Sequence, residues 1–439
     1  MLARVREITG GRVAPPFLVG APAPLRVDGV GTVTDRSAAA VLTRRRALTA
    51  FAAFAGGSGL LGACTPAAPQ RGAATSPAKA ATAAEPATPG RRQAGQAPLN
   101  VYSQTAPGKL NPRWARDTVR VYVPNSLDST VTEIDPRTYR VTSTFAVGTG
   151  PNHVTPSWDG SVLWVNNTDG NSLTPIDPRT GEPARPVPAA DPYNLYFTPD
   201  GQHALVMAEA LNRIDFRDPR TMRLRYSMDV PAGVNHMDFT ADGHHALASC
   251  EFSGAVIWID MRTRTVLRKL VLGMAMGAPA TPSGPGYSMP QDVRLSADGQ
   301  IFYVADMAAG GIWLISMRQV RPVRFIRTGA GTHGFEVGRD GRHLYISNRG
   351  EGSISVLDMA ANKLVAKWRI PGGGSPDMGG ISPDGTVMWW GGRYHGVVYA
   401  MSTANGRLLA KIPVGSGPHG LCVFPQPGRY SLGHTGNFR

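Results

Sequence analysis

Residues 293–316 read VRLSADGQIFYVADMAAGGIWLIS, and this stretch decides the fold. Two alternating apolar runs flank an Asp-Gly pair, which indicates a β-hairpin because glycine supplies the positive φ that such a turn needs. A third apolar run follows, and a turn and a fourth run complete the unit. The stretch therefore predicts a unit of four short antiparallel strands.

The same unit recurs along the whole second part of the chain. Its turn glycines are Gly160, Gly201, Gly243, Gly299, Gly341, Gly385 and, after a proline, Gly428. Their spacings are 41, 42, 56, 42, 44 and 43 residues. Four strands at such a period predict an all-β, seven-bladed β-propeller. The first unit, 119–147, lacks its innermost strand, and residues 419–424 form a spare one. We expect these N- and C-terminal strands to pair and close the ring.

Two segments carry a resemblance to a known family. VYVPNSLDSTVTEID, at 121–135, and LYISNRGEGSISVLD, at 344–358, resemble the YVTN-type repeat of YncE-like and surface-layer propellers. The resemblance covers about residues 118–428 and implies the seven-bladed architecture. It implies no single activity, because this fold carries binding scaffolds, lactonases and metal enzymes.

The N-terminal part of the chain is typical of an export signal followed by a tether. An arginine run at 44–46 precedes an uncharged apolar segment at 47–63, in an order that resembles a twin-arginine signal peptide. The segment ends at Cys64, which resembles the lipidated cysteine of a lipobox. We predict a leader at 1–63, an Ala/Pro/Thr-rich flexible linker at 64–117, the propeller at 118–428 and a C-terminal tail at 429–439. The protein is then exported and anchored to the outer side of a bacterial membrane.

Charge and cysteine content narrow the possible partners. The formal net charge is +14, but residues from Thr118 onward hold 30 basic against 26 acidic side chains. The folded body is therefore nearly balanced, and we expect no nucleic-acid partner. We expect a monomer whose partner is a small molecule or an envelope protein, with membrane contact through the lipid anchor alone. Cys250 and Cys422 fall in distant blades and are predicted to be core residues without a disulfide.

A polar residue lies at the start of each predicted innermost strand, beside the central channel. These residues are His153, Asn194, His236, Asp292, His333, Asp377 and His419. Seven equivalent strand starts around one channel predict a single polar ring. Arg349 and Arg393 occupy matching loop positions in adjacent blades, where two guanidinium groups can share an anion.

The ring has several interpretations. In a structural role, its side chains satisfy backbone groups of neighbouring blades. Our leading functional reading is a site for a small molecule, ion or partner at the channel mouth. The alternative is a metal-dependent oxidoreductase, in which His153, His236, His333 and His419 bind a transition metal such as copper. A further alternative is a protein-interaction scaffold of the cell envelope. The Gly/Pro-rich insertion at 273–288 is either a lid over the mouth or a surface bulge.

The leader generates the first prediction. Replacing Cys64 by Ser removes the thiol that lipidation requires, so the propeller should move from the membrane fraction to the soluble fraction while its melting temperature stays the same. Fractionation of cells and thermal melting of the released protein measure both effects. Unchanged membrane association of the variant would refute the lipid anchor.

Overall fold

The computed structural model describes residues 99–275 and 286–439. Within these ranges, 28 β-strands form seven antiparallel sheets of four strands each. One short 3-10 turn, Glu251–Ser253, lies between two of the strands. The sheets are the blades of a seven-bladed β-propeller, as the repeat predicted.

The strands follow one another from the innermost to the outermost position of each blade. Blades 1 and 2 contain β1 (Arg120–Asn125), β2 (Thr130–Asp135), β3 (Arg140–Ala146), β4 (Pro151–Pro156), β5 (Leu163–Asn167), β6 (Ser172–Ile176) and β7 (Val187–Pro188). Blades 3 and 4 contain β8 (Pro192–Phe197), β9 (Ala204–Ala208), β10 (Arg213–Arg217), β11 (Leu224–Asp229), β12 (Val234–Phe239), β13 (His245–Cys250), β14 (Ala255–Asp260) and β15 (Thr265–Val271). Blades 5 and 6 contain β16 (Pro290–Leu295), β17 (Ile301–Asp306), β18 (Gly311–Ser316), β19 (Arg321–Arg327), β20 (Thr332–Val337), β21 (His343–Asn348), β22 (Ser353–Asp358) and β23 (Lys363–Arg369). Blade 7 contains β24 (Pro376–Ile381), β25 (Val387–Gly392), β26 (Val397–Ser402) and β27 (Leu408–Pro413), and β28 (Cys422–Phe424) completes blade 1.

Blade 1 is built from both ends of the propeller. Its strand order is β28-β1-β2-β3, so the last strand of the chain is the innermost strand of the first blade. The antiparallel register pairs Val121 with Val423 and Tyr122 with Cys422. The predicted closure between N- and C-terminal strands is confirmed.

In blades 2 to 7, the repeated turn joins the innermost strand to the second strand. In blade 5, Gly299 has φ +71°, a conformation that glycine adopts without strain. The Ser296 hydroxyl donates to the Asp298 carboxylate at 2.6 Å, and the Asp298 carboxylate also accepts the Gln300 N–H at 3.1 Å. The hairpin predicted from the Asp-Gly pair therefore forms by a local hydrogen-bond network.

The core lies between the blades. In the described part of the chain, seven apolar clusters each join two adjacent blades. The cluster between blades 7 and 1 contains Val121, Val423, Trp389 and Val398, all fully buried. Outermost strands such as β3 are mostly exposed. Each blade is thus stabilised by both of its neighbours. A gap in the ring would expose the apolar faces of the two blades beside it to water.

The packed part of the chain begins earlier than we predicted. Residues 99–117 were assigned to the flexible linker, but Tyr102 and Trp114 are buried. The Tyr102 hydroxyl donates to the Leu295 carbonyl at 2.7 Å, and the Trp114 indole N–H donates to the Gln426 carbonyl at 2.8 Å. Burial of the two aromatic rings holds this segment on the propeller. The leader at 1–63, Cys64 and the linker at 65–98 lie outside the described residues.

The tail at 429–439, to which the sequence assigned no structure, runs along the channel beside β8. The Phe197 N–H donates to the Leu432 carbonyl at 2.9 Å, and the His434 N–H donates to the Leu195 carbonyl at 2.8 Å. At Gly433, a Cβ atom would lie 2.5 Å from the Leu195 carbonyl oxygen, so only glycine allows this approach. The tail therefore becomes part of the channel interior.

Only the ends of the insertion at 273–288 are described. The Met274 N–H donates to the Gly286 carbonyl at 3.1 Å, and Met274 forms a parallel bridge with Tyr287. The lid or bulge that we predicted involves 276–285, which lie outside the described residues. Across 99–275 and 286–439, no helix is long and apolar enough to cross a membrane. Cys250 and Cys422 are free and buried, as expected.

The closing strand generates the second prediction. A chain that ends at Pro418 loses β28 and exposes the apolar edges of blades 1 and 7, so it should lose its cooperative melting transition. A chain that ends at Arg429 is the matched control, because it keeps β28 and lacks only the tail that follows. We expect this control to melt cooperatively at a reduced temperature. A full-length-like transition in the shorter chain would contradict the role of ring closure.

Candidate functional site

The innermost strands bring the predicted polar residues to one region of the channel. Strand pairing is irregular at their starts, with a register shift between Pro151 and His153 in blade 2 and another between Thr332 and Phe335 in blade 6. The seven predicted residues fall at two different positions. The second position of the innermost strand, or the matching place before β28, is occupied by His333, Asp377 and His419. The third position is occupied by the other four predicted residues. The structure therefore divides the predicted ring into two clusters.

The first cluster, which we call the Asp377 cluster, consists of His333, Asp377 and His419. One ring nitrogen or carboxylate oxygen from each residue lies within 4.8 Å of the others. His333 Nδ1 lies 2.8 Å from Asp377 Oδ1, and His419 Nε2 lies 3.5 Å from Asp377 Oδ2. All three side chains are buried. The carboxylate is therefore the centre of this cluster.

Arg349 and Arg393 converge on the same carboxylate. Arg349 Nη1 donates to Asp377 Oδ1 at 3.1 Å, and Arg393 Nε lies 3.9 Å from Asp377 Oδ2. Burial by itself raises the pKa of Asp377, but the Arg349 guanidinium and the His333 and His419 rings outweigh it and hold that pKa well below its usual range. Within the structure, Arg349 and Arg393 thus share an anion that belongs to the protein itself, the Asp377 carboxylate.

The second cluster, which we call the histidine cluster, consists of His153, His236 and His434. A ring nitrogen from each residue lies within 4.8 Å of the others. The ring centroids are 5.7 Å apart for His153 and His236, 5.2 Å for His153 and His434, and 5.0 Å for His236 and His434. Each ring is at most 1% exposed. Three imidazoles thus meet inside the channel without contact with bulk water.

Sequence reasoning missed His434 because it belongs to the tail. The segment carries no repeat signal, and the only sequence indication was a histidine in a Gly-His-Thr-Gly run beyond the last strand. Its ring stacks on Tyr196 at 5.8 Å between centroids. Asn194 Nδ2 lies 3.0 Å from His434 Nδ1 and 3.1 Å from His236 Nδ1. Asn194 therefore positions two members of the histidine cluster.

Backbone carbonyls orient two of the imidazoles. His153 Nδ1 lies 2.9 Å from the Tyr193 carbonyl, and His419 Nδ1 lies 3.1 Å from the Asn152 carbonyl. Because a carbonyl only accepts, each Nδ1 carries a proton, and a neutral His153 ring keeps its lone pair on Nε2. The combination found at His153, an N–H bonded to a carbonyl and a free opposite nitrogen, is common among metal-binding histidines.

Two ring nitrogens of the histidine cluster lack hydrogen-bond partners. For Nε2 of His153 and His236, no partner atom lies within hydrogen-bond distance among the residues described, whereas His434 Nε2 faces the Asp292 carboxylate. Burial lowers the pKa of all three rings below the usual histidine value, most strongly for His153 and His236, where the neighbouring His434 ring adds to the effect. The rings are therefore neutral at physiological pH, which is the form that binds metal ions.

Other residues of the predicted ring support the clusters. Asp292 Oδ2 accepts from Arg294 Nη2 at 3.3 Å and from the Phe335 N–H at 2.9 Å, and His434 Nε2 lies 3.6 Å from it. At Gly420, a Cβ atom would collide with the His153 ring, so the glycine leaves the space that this ring fills. Asp292 thus holds neighbouring strands together at the edge of the histidine cluster.

The fold and the site can now be compared with known proteins. The family model described as a YNCE-like beta-propeller matches residues 97–219 and 278–429, which is more than half of the chain, so the protein belongs to this family. No curated protein matches it. Its internal repeats and the ring of seven sheets agree with that assignment.

Several solved structures share the fold. One is the hydrazine synthase of Kuenenia stuttgartiensis, with 21% identity, a TM-score of 0.55 and coverage of 72% of this chain and 99% of that one. Dihydro-heme d1 dehydrogenase NirN, in complex with DHE, has 16% identity, a TM-score of 0.51 and coverage of 72% and 78%. A putative 6-phosphogluconolactonase of Bacteroides uniformis has 17% identity, a TM-score of 0.53 and coverage of 70% and 100%. Because the identities are low, the likeness concerns the fold.

The Asp377 cluster generates the third prediction. Replacing Asp377 by Asn leaves the Arg349 and Arg393 guanidinium groups without their buried counter-charge, which should lower the free energy of unfolding by about 3–5 kcal/mol. Asp177→Asn is the control, because Asp177 pairs with the exposed Arg179 and its loss should cost roughly 0–1 kcal/mol. Urea denaturation measures both free energies.

The effect should depend on pH. The folded-state pKa of Asp377 is depressed, so its contribution is present above the unfolded value of about 4 and is lost as the pH falls through the folded-state pKa. The wild-type protein and the variant should therefore converge in strong acid. Equal stability of wild type and Asp377→Asn at neutral pH would contradict this account.

Proposed function

We propose that this YNCE-like β-propeller binds a transition-metal ion, copper, at the histidine cluster in its channel. The observation that carries the proposal is the meeting of three buried imidazoles, each of which offers one ring nitrogen within 4.8 Å of the others. A metal ion at the centre of the cluster would take one ring nitrogen from each imidazole as a ligand.

The burial of the cluster favours an ion over an organic ligand. His153, His236 and His434 are at most 1% exposed, and their ring centroids are separated by only 5.0–5.7 Å. A drug-sized molecule needs a cavity of roughly 300 Å³ or more, whereas an ion needs only its coordination sphere. Among the ligand classes that the sequence left open, the geometry therefore supports a metal ion best.

The donor set favours copper. Neutral imidazoles suit copper, zinc, iron and nickel, and copper binds such nitrogen sites most tightly among the divalent first-row ions. Met378, which is buried, follows Asp377 and occupies the same strand position as His153 and His236. A thioether side chain at this strand position is a ligand type that copper prefers in its reduced state. The oxidoreductase alternative would use the redox change of the same ion.

We also infer that the propeller, with its metal site, lies on the outer side of the membrane. The arginine run, the apolar segment and Cys64 support export and lipid anchoring, with the propeller held away from the membrane by the Ala/Pro/Thr-rich linker. Its partners would be the ion and, for transfer of the ion, an envelope protein.

The fourth prediction tests the metal site. Protein produced with copper present during folding should contain about one copper ion per chain, because the buried ligands close around the ion as the ring forms. His153→Ala removes one ligand, so its copper affinity should fall by more than the roughly 10–100-fold that loss of a supporting residue costs. Elemental analysis after dialysis against a chelator of known affinity measures both quantities.

His244→Ala is the matched control, because His244 is exposed on a hairpin turn and its loss should leave copper binding unchanged. Thermal melting of the variants reports whether each one is folded. Zinc in place of copper would overturn the choice of metal. Wild-type protein without bound metal, or full copper binding by folded His153→Ala, would overturn the proposal.

A further inference from the structure

A second candidate site lies at the other end of the channel, between the tail and blades 5 and 6. It is a cavity of about 20 Å³, and the residues of its lining that matter here are Arg294, Glu336, Arg339, Asn437 and Arg439. We call it the basal cavity. About one water-sized sphere requires 10–15 Å³, so the space suits a water molecule or a monatomic ion.

Three residues of this lining have buried donors without an acceptor. Within residues 99–275 and 286–439, no protein acceptor lies within hydrogen-bond distance of Arg294 Nη1, Arg439 Nη1 or Asn437 Nδ2. Arg294, Arg439 and Asn437 are 2%, 8% and 8% exposed, respectively. A group that occupies the basal cavity must therefore supply acceptors rather than donors.

The charges around the basal cavity also favour an anion. Arg439 Nη2 bonds to both oxygens of Asp238, and Arg294 Nη2 bonds to Asp292, so two arginines have carboxylate partners. The third, Arg339, donates only to neutral oxygens, at 2.7 Å to the Ile381 carbonyl, 3.2 Å to the Ser382 carbonyl and 2.8 Å to Gln426 Oε1. One buried positive charge thus has no ion-pair partner among these contacts.

Glu336 is the remaining acid of the lining. Its carboxyl accepts from the Thr435 hydroxyl at 3.4 Å, and burial, opposed by Arg294, raises its pKa to about 8. The side chains of the lining thus provide three guanidinium groups and one carboxyl group whose pKa is raised. A small anion in the basal cavity would accept from the three free donors.

We propose that the basal cavity is a binding site for a monatomic anion, chloride, which joins the tail to blades 5 and 6. Arg294 belongs to β16 and Arg339 follows β20, whereas Asn437 and Arg439 belong to the tail. The anion bonds to both sides and so holds the segment that carries His434. The site uses none of the proposed copper ligands. The chloride proposal can therefore be tested and refuted independently of the copper proposal.

The fifth prediction uses chloride and a variant that carries its own anion. A ligand that binds only the folded state stabilises it, so the melting temperature of the wild-type protein should rise by roughly 2 °C or more when sodium chloride replaces sodium gluconate at equal ionic strength. Asn437→Asp places a carboxylate beside Arg294 and Arg439. This variant should melt at the same temperature in both salts, and above the wild type in gluconate.

Asn437→Ala is the second variant, because it removes one donor and adds no charge. Its melting temperature should respond to chloride less than that of the wild type. In crystals grown with bromide, the anomalous signal should peak in the basal cavity of the wild type and be absent there in Asn437→Asp. A wild-type melting temperature that is equal in the two salts, or a water molecule in place of bromide, would overturn the proposal.

Discussion

The pairing of β28 with β1 is the constraint on which the rest of the structure depends. Every blade packs its apolar side chains against two neighbours, and the C-terminal strand that completes blade 1 contributes Val423 to the cluster between blades 7 and 1. Closure also fixes where the innermost strands begin. Seven strand starts then surround one channel, and residues from distant parts of the sequence, such as His153 and His419, come to within 4.8 Å between ring centroids. The ring that stabilises the fold thus also assembles the site.

Closure has a further consequence for the charged groups in the channel. The centre of the ring is buried, so each ionised group there needs a partner, and burial lowers the pKa of each histidine. Asp377 meets this requirement with Arg349, whereas the rings of the histidine cluster meet it by losing their charge. The two clusters therefore have different characters although they are neighbours. One is an ion-pair network around a carboxylate, and the other is a group of three imidazoles whose ring nitrogens lie close together.

The tail links the two ends of the channel. His434 reaches the histidine cluster, Thr435 contacts Glu336, and Arg439 pairs with Asp238 and lies over the Tyr102 ring at 4.6 Å. Residues 99–117 pack at the same end, where Trp114 contacts Phe424 and Phe438. Two segments outside the repeats thus add buried side chains to the interior at this end of the propeller.

The sequence by itself determined the architecture. A period near 42 residues, with an Asp-Gly turn in six of the seven units, specifies hairpins from residues close together in the chain. The first unit without its innermost strand and the spare strand at 419–424 together predict closure. The same register identified His153, His236, His333, Asp377 and His419 as channel residues. Their grouping was decided only by the tertiary structure. A strand pattern gives each residue a position along its own strand, but not which residues of other strands share its layer or what else enters the channel. That is why one ring was expected where two clusters form, why Arg349 and Arg393 share an internal carboxylate, and why His434, on a tail without any repeat signal, is found only once the chain is folded.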